Sequence, residues 1–325
     1  MSALTLQGPY WVTYRQHRWS LWATLALAAL ASGVLLVSWY WALRADDVLA
    51  ATGCRMDSIA ERCFQPARDR ADAVWAARHM VEFVGLGMTL LPAVLAGWMA
   101  GPLIARELET GTYKTAWTQS VSPARWLVAK LAVAAGFVLV PLLLVSAVFR
   151  WSWSTSPADD FPTYWYSATM YASLPGTVPV ATVVLGLTTG ALAGLLLRRT
   201  VLALGAAALA TGAVLVVLAK LRPRLWPVET VTARGGIDLP GRTWVVESGR
   251  LTADGRRVGW QECFEVVHDG QVNRCMEARG ALTDYADVHP AAHFWPLQLT
   301  ETAILLALAA LAALAAFRVL RARLP

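Results

Sequence analysis

Six long apolar runs constrain this chain more than any other feature: Trp19–Ala42, Phe83–Ile104, Leu127–Phe149, Val178–Leu197, Val201–Ala219 and Thr302–Phe317. Most approach the ~20 residues that carry an α-helix across ~30 Å of hydrocarbon. A lipid interior offers no water to unpaired peptide groups, so such runs fold as spanning helices. The expected fold class is an all-α polytopic membrane protein with six transmembrane helices. Composition agrees, because 57% of the 325 residues are hydrophobic and 15% are charged, outside the usual range of soluble domains. The first run is too long for a signal peptide and follows Arg15 and Arg18 directly, so it is expected to stay as an anchor.

Six spans place both termini on one side. The short segments of that side carry Arg15 and Arg18, then Arg106, Lys114, Arg125 and Lys130, then Arg198 and Arg199, then Arg318, Arg321 and Arg323. Their acids are Glu107 and Glu109. The positive-inside rule makes this face cytoplasmic. The opposite loops hold Arg44, Arg55 and Arg62 among others, but long loops translocate largely regardless of charge. The net charge of +6 is no nucleic-acid signal, because the basic residues are scattered and form no aromatic-interleaved patch.

The four cysteines fall in the outer loops: Cys54 and Cys63 in the first, Cys263 and Cys275 in the last. Two pairs, each within one loop, suit two short disulfides in an oxidising exterior, with four free thiols as the alternative. The last outer segment is long enough for a small domain. Its turn signals (Arg234-Gly235-Gly236, Asp254-Gly255, Asp269-Gly270) separate runs such as Thr243–Glu247 and Cys263–His268, which predict β-hairpins. By contrast, Gly53–Arg78 reads as a helical or irregular loop. Trp and Tyr gather at span ends, at Trp39-Tyr40-Trp41, Trp151, Trp153 and Tyr164-Trp165-Tyr166, as an aromatic belt does. Gly186, Gly190 and Gly194 put a flat stripe on one face of the fourth span, suited to close helix packing.

Chemistry-bearing residues are sparse. Apart from Lys130 just inside the third span, the span interiors lack charged residues and His, and Glu82, Lys220 and Glu301 fall at predicted ends, where side chains reach the interface. Ion-coupled transporters usually need titratable groups near the midplane, so the energy source is expected elsewhere. No phosphate-cradling Gly-x-x-x-x-Gly-Lys-[Ser/Thr] loop occurs, so this chain does not bind ATP by that device. Asp284, Asp287, His289 and His293 fall within ten residues. Pro290 breaks the helical face that would align the histidines, so no metal site is expected; beside Phe294-Trp295-Pro296 the stretch reads as the descent into the membrane. Asp159-Asp160 reads as a solvated turn.

The elbow Arg106-Glu107-Leu108-Glu109-Thr110-Gly111-Thr112 joins the second and third spans. Residues from Leu103 to Thr110 can continue a helix, which Gly111 ends in the left-handed C′ position. Thr112 can cap a new short helix, and Ser122-Pro123 is a good N-cap and N1 pair for the third span. An ordinary capped hairpin loop is the alternative reading.

At these residues the chain resembles a permease subunit of the type-2 ATP-binding-cassette exporters, in an actinobacterial branch. The family pattern Arg-Glu-x-x-x-Gly-Thr, a Ser/Pro turn, an Arg and a Lys is matched by Arg106, Glu107, Gly111, Thr112, Ser122, Pro123, Arg125 and Lys130. The resemblance implies a cytoplasmic amphipathic connecting helix (1–18), spans one to five (19–221) with a coupling elbow at 105–126, an extracellular domain (222–296), and the last span with a cytoplasmic tail (297–325). It implies a plasma-membrane permease that pairs with a second permease, identical or not, within membrane lipids. ATP and Mg would sit on a separate nucleotide-binding subunit, with no cofactor in this chain. Arg106, Glu107, Glu109, Gly111, Thr112 and Arg125 would couple to that subunit. Met88, Thr89, Thr211 and Val214 would line the path of an amphipathic or lipophilic drug, peptide or lipid. From another class, the chain could be a sensor whose outer domain detects a peptide or drug. An intramembrane enzyme is disfavoured by the apolar spans.

Overall fold

The computed structural model describes residues 9–56, 58, 60–118, 122–154, 176–240, 243–264 and 271–323. Asp159-Asp160, Tyr164-Trp165-Tyr166 and the Asp269-Gly270 turn lie outside them. The long helices are α1 (Pro9–Ala51), α2 (Glu61–Thr110), α4 (Pro123–Ser154), α5 (Val178–Leu197), α6 (Thr200–Leu221) and α9 (Phe294–Arg323), with the six-residue α3 (Tyr113–Thr118) between α2 and α4. Each long helix contains one of the six expected spans and is long and apolar enough to cross a membrane. The chain is a multi-pass membrane protein, mostly helical.

Two helices overrun the bilayer. At ~1.5 Å per residue, the 50 residues of α2 extend about 75 Å, more than twice the hydrocarbon thickness. The segment 61–78 is therefore helix standing beyond the membrane. Its start is tied to the end of α1 by the Cys54–Cys63 disulfide, with Cα atoms 5.5 Å apart, and by the Arg70–Asp46 ion pair. In α1, His17 (φ −116°, ψ 16°) interrupts the helical geometry between an N-terminal piece and the span proper.

The helices pack as small-residue contacts demand. A Cβ on Gly186 would lie 2.5 Å from the Ala93 carbonyl oxygen, on Gly190 2.9 Å from that of Gly97, and on Gly194 2.8 Å from that of Gly101. The glycine stripe of α5 thus lets its backbone lie directly on α2, where dispersion between close backbones replaces the hydrophobic effect that lipid cannot supply. Across α5 and α6, Thr189 and Thr211 bring their hydroxyls within 2.8 Å.

Between α6 and α9 lies a four-stranded antiparallel sheet, ordered β1–β4–β2–β3. The strands are β1 (Glu229–Ala233), β2 (Trp244–Thr252), β3 (Arg257–Gly259) and β4 (Ala281–His289), with the short helices α7 (Trp260–Phe264) and α8 (Val272–Ala278) inserted before β4. Gly235, Gly236 and Gly255 take positive φ at the expected turns. Two expectations are corrected. Cys263 and Phe264 belong to α7 rather than to a strand, because the Cys263–Cys275 disulfide and a core of Val258, Cys263, Met276 and Ala281 override β-propensity. And the Asp284–His289 stretch belongs to β4, one of the two inner strands of the sheet, not to a descent into the membrane.

Candidate functional site

The elbow is a fastened joint. Gly111 ends α2 with φ 77° and ψ 2°, a left-handed conformation that costs glycine nothing sterically. Its carbonyl accepts from Lys114 N–H at 3.1 Å, which starts α3. Thr112 is exposed, its hydroxyl 3.1 Å from that of Thr110. Ser122 caps α4: its Oγ accepts from Arg125 N–H at 3.3 Å, as an N-cap does for the N3 donor.

Both acids of the elbow are engaged inside the chain. Glu107 accepts from Trp126 Nε1 at 2.8 Å and from the Lys130 ammonium, so α2 is bound to α4. The Lys130 side chain is only 6% exposed, and without Glu107 its charge would be held away from water with nothing opposite it. Ile104, Leu108, Trp126, Leu127 and Leu195 pack around this pair, with Tyr113 of α3 against them. Glu109 instead reaches the start of α6. It accepts from Thr200 N–H at 3.1 Å and Thr200 Oγ1 at 2.9 Å, with Arg199 3.9 Å away. A carboxylate there meets free backbone donors and the positive end of the helix dipole.

The cations exposed on this face are Arg106, Lys114, Arg125, Arg198 and Arg199, and the exposed Glu109 among them is already taken up by Thr200. Of the six residues expected to couple, the structure brings Glu107, Glu109 and Gly111 into one joint and leaves Arg106, Thr112 and Arg125 open to solvent. Trp126, Lys130 and Thr200 complete the joint. Lys130 was visible as a lone charge just inside an apolar run; Trp126 and Thr200 gave no signal, because their role depends on two acids 19 and 91 residues away.

The four residues named for a substrate path fall on two helices, Met88 and Thr89 on α2 and Thr211 and Val214 on α6. Met88 is buried in a cluster with residues of α1, α4 and α5, whereas Val214 packs in another with α5 and α9. Thr89 returns its hydroxyl to the Leu86 carbonyl at 2.7 Å, and Thr211 is buried against Thr189.

A second polar constellation sits at the opposite end of the helices. Arg222 and Glu301 form a two-pronged ion pair, Nε to Oε2 at 2.8 Å and Nη2 to Oε1 at 2.7 Å. The side chains are 6% and 0% exposed. Glu301, expected to reach the interface, is instead fully enclosed, because α9 begins at Phe294 and carries it inward by two turns. Beside it Val178 N–H donates to Gln298 Oε1 at 3.1 Å, and the Thr177 and Thr302 hydroxyls meet at 2.7 Å. Asp284 pairs with Arg250 and Asp287 with Arg257, so each of these candidate metal ligands neutralises an arginine. The Arg257 guanidinium is held above its usual value by its hydrogen bond to Asp287. Burial pushes the Tyr285 phenol up to about 12, aided by its hydrogen bond to Glu247. No group of three or more metal-ligating side chains occurs among the described residues.

The family model described as ABC-2 membrane transporter related matches residues 18–222. That span takes in five of the long helices and the whole elbow, and it stops where the strand-bearing domain begins. No curated protein and no solved structure matches the chain. With well over half its length matched, the chain belongs to the ABC-2 membrane transporter related family, the membrane-spanning components of ATP-binding-cassette transporters.

Proposed function

We propose that the chain is the permease subunit of an ATP-driven exporter in the plasma membrane, with the elbow on the cytoplasmic face. It carries an amphipathic or lipophilic drug, peptide or lipid, and it works with a second permease and separate nucleotide-binding subunits that hold ATP and Mg. The observation that carries this reading is the fastening of α2 to α4 through Glu107 and to α6 through Glu109. A push on α3 is thereby delivered to three spans at once, which an ordinary loop has no reason to provide. Arg106, Thr112 and Arg125, facing solvent with the neighbouring basic residues, suit an acidic groove on the motor subunit. Glu107, Glu109 and Gly111 hold the joint in shape. The apolar spans favour lipophilic cargo over a hydrated ion.

The test is co-purification from the native membrane followed by ATPase assay of wild type, Glu107→Ala and Gly111→Val. An associated ATPase that is lost or uncoupled by the substitutions supports the permease reading. A second reading, a sensor whose strand-bearing domain detects a peptide or drug, draws on the Arg222–Glu301 tie between that domain's flanking helices. ATPase stimulation by a ligand without movement of that ligand across vesicles would favour it.

A further inference from the structure

Where β4 leaves the sheet and α9 begins, three titratable side chains form one line of contacts. His289 Nε2 lies 3.1 Å from the Pro223 carbonyl oxygen. Its Nδ1 lies 3.2 Å from His293 Nδ1, and His293 Nε2 lies 3.2 Å from Glu229 Oε1. The partners fix the protons. A carbonyl only accepts, so His289 Nε2 carries a hydrogen and donates it. A neutral His289 then turns a bare Nδ1 lone pair toward His293, and the ring–ring contact forms only if His293 Nδ1 carries the hydrogen. The remaining nitrogen of a neutral His293 would then aim its lone pair at the Glu229 carboxylate. All three contacts are satisfied only when the trio holds one proton more than an ionised carboxylate and two neutral imidazoles. Without it, electron pairs face each other at one contact, whichever tautomer is drawn.

We propose that Glu229, His293 and His289 form a one-proton clasp that fastens the strand-bearing domain to the membrane helices. The clasp joins β1 through Glu229, β4 through His289, the turn Ala291–His293 before α9, and the turn Arg222–Arg224 after α6. His289 is fully buried, while the Glu229 side chain is 60% exposed and gives the proton a path to solvent. The rings of Trp244 and Trp226, 5.0 Å from His289 and 6.5 Å from His293, wall the site without charge. The neighbouring charges are already paired: Arg222 with Glu301, and Asp287, two residues before His289 on the same strand, with Arg257 and Thr230. Arg224 is exposed. A second proton would set two cationic rings 3.2 Å apart, and burial already holds the His289 imidazole below its ordinary value. The clasp therefore closes with one proton and opens when that proton leaves, so the domain's attachment follows the pH of the compartment it faces, whatever the direction of transport.

The full chain, reconstituted in phosphatidylcholine nanodiscs with its 5 histidines carbon-13 labelled at Cε1, is titrated by NMR from about pH 5 to about pH 9. The resonances are assigned by their loss in H289Q and H293Q. One protonation event that moves both signals, with His289 remaining neutral, is the expected result. Melting is followed over the same range. Between the unfolded-chain histidine value of about 6.5 and the clasp's own titration the wild type loses stability as pH rises, with the folded-to-unfolded ratio falling about tenfold per pH unit across that window and levelling off above it. In His293→Gln the amide N–H donates to His289 Nδ1 at every pH, so this alkaline slope disappears. Two independent protonations, none at all, or a His293→Gln slope equal to wild type would overturn the clasp. The wild-type titration decides the matter even if the variant fails to fold.

Discussion

Glu301 has no exposed side-chain surface and both oxygens on one guanidinium, so its removal acts mainly through what it leaves behind. Glu301→Gln strands the Arg222 charge, 6% exposed, away from water; breaking such a pair from one side costs about 3–5 kcal/mol. Thermal melting in detergent should show a large fall for this variant. Replacing both partners with methionine removes both charges and keeps the volume, so Arg222→Met with Glu301→Met should recover most of the loss. If the double variant is as unstable as the single, the pair stabilises by more than mutual neutralisation. His289 gives a prediction of opposite character. Burial lowers its folded-state value below 6.5, so the unfolded chain takes up the proton first. The stability it contributes is complete above about pH 6.5 and is lost as pH falls toward the depressed value. The melting temperature should therefore drop on acidification below about pH 6.5, and His289→Gln should flatten that acid limb.

Between elements, the glycine stripe of α5 sets the tightest tolerance. Gly186→Ala would bring a methyl 2.5 Å from the Ala93 carbonyl oxygen and 3.1 Å from the Ala96 Cβ. Since both are held by α2, the helices must part, at about 1–3 kcal/mol. Gly205→Ala on α6, where a Cβ meets open space, is the control and should melt as wild type. Equal melting temperatures for the two variants would mean that α2 and α5 are not in close contact. This contact was legible beforehand, because a repeat of four along a helix fixes a face without knowledge of the partner. The span positions were legible for the same reason, since lipid imposes length and polarity on each segment separately. The Cys positions likewise confined any short bridge to two loops. The polar ties were not. Glu107 with Trp126, Glu109 with Thr200 and Arg222 with Glu301 join elements whose approach depends on helix packing, and sequence spacing carries no trace of it. The inner strand Ala281–His289 was missed because its Asp and His residues, set just before Phe294-Trp295-Pro296, read as a descent into the membrane, whereas the sheet uses them to neutralise arginines and join the turns.

At the scale of the whole molecule, these ties divide the chain's possible motions. On the elbow face, α2 is bound to α4 and α6 through Glu107 and Glu109, and its backbone lies against α5. On the opposite face, α9 is bound to α5 through Thr302 and Gln298 and to the end of α6 through Glu301. Every one of these helices is thus fastened to at least one other at one end. Closely packed helices held in this way shift as a body more readily than they separate. In the proposed pairing of two permeases, a pathway that opens and closes would then form between the two chains, not between α5 and α9 of one copy. An engineered disulfide discriminates the two cases. The Thr177 and Thr302 hydroxyls stand 2.7 Å apart, so Thr177→Cys with Thr302→Cys should cross-link under mild oxidation. If the chain moves as a body, the oxidised protein keeps the substrate-stimulated ATPase activity and vesicle transport of its reduced form. If α5 and α9 part to admit substrate, oxidation abolishes transport and reductant restores it. Because the bridge lies at the far end of α5 from the elbow, a loss of transport with the basal ATPase rate intact would place the moving boundary inside the chain.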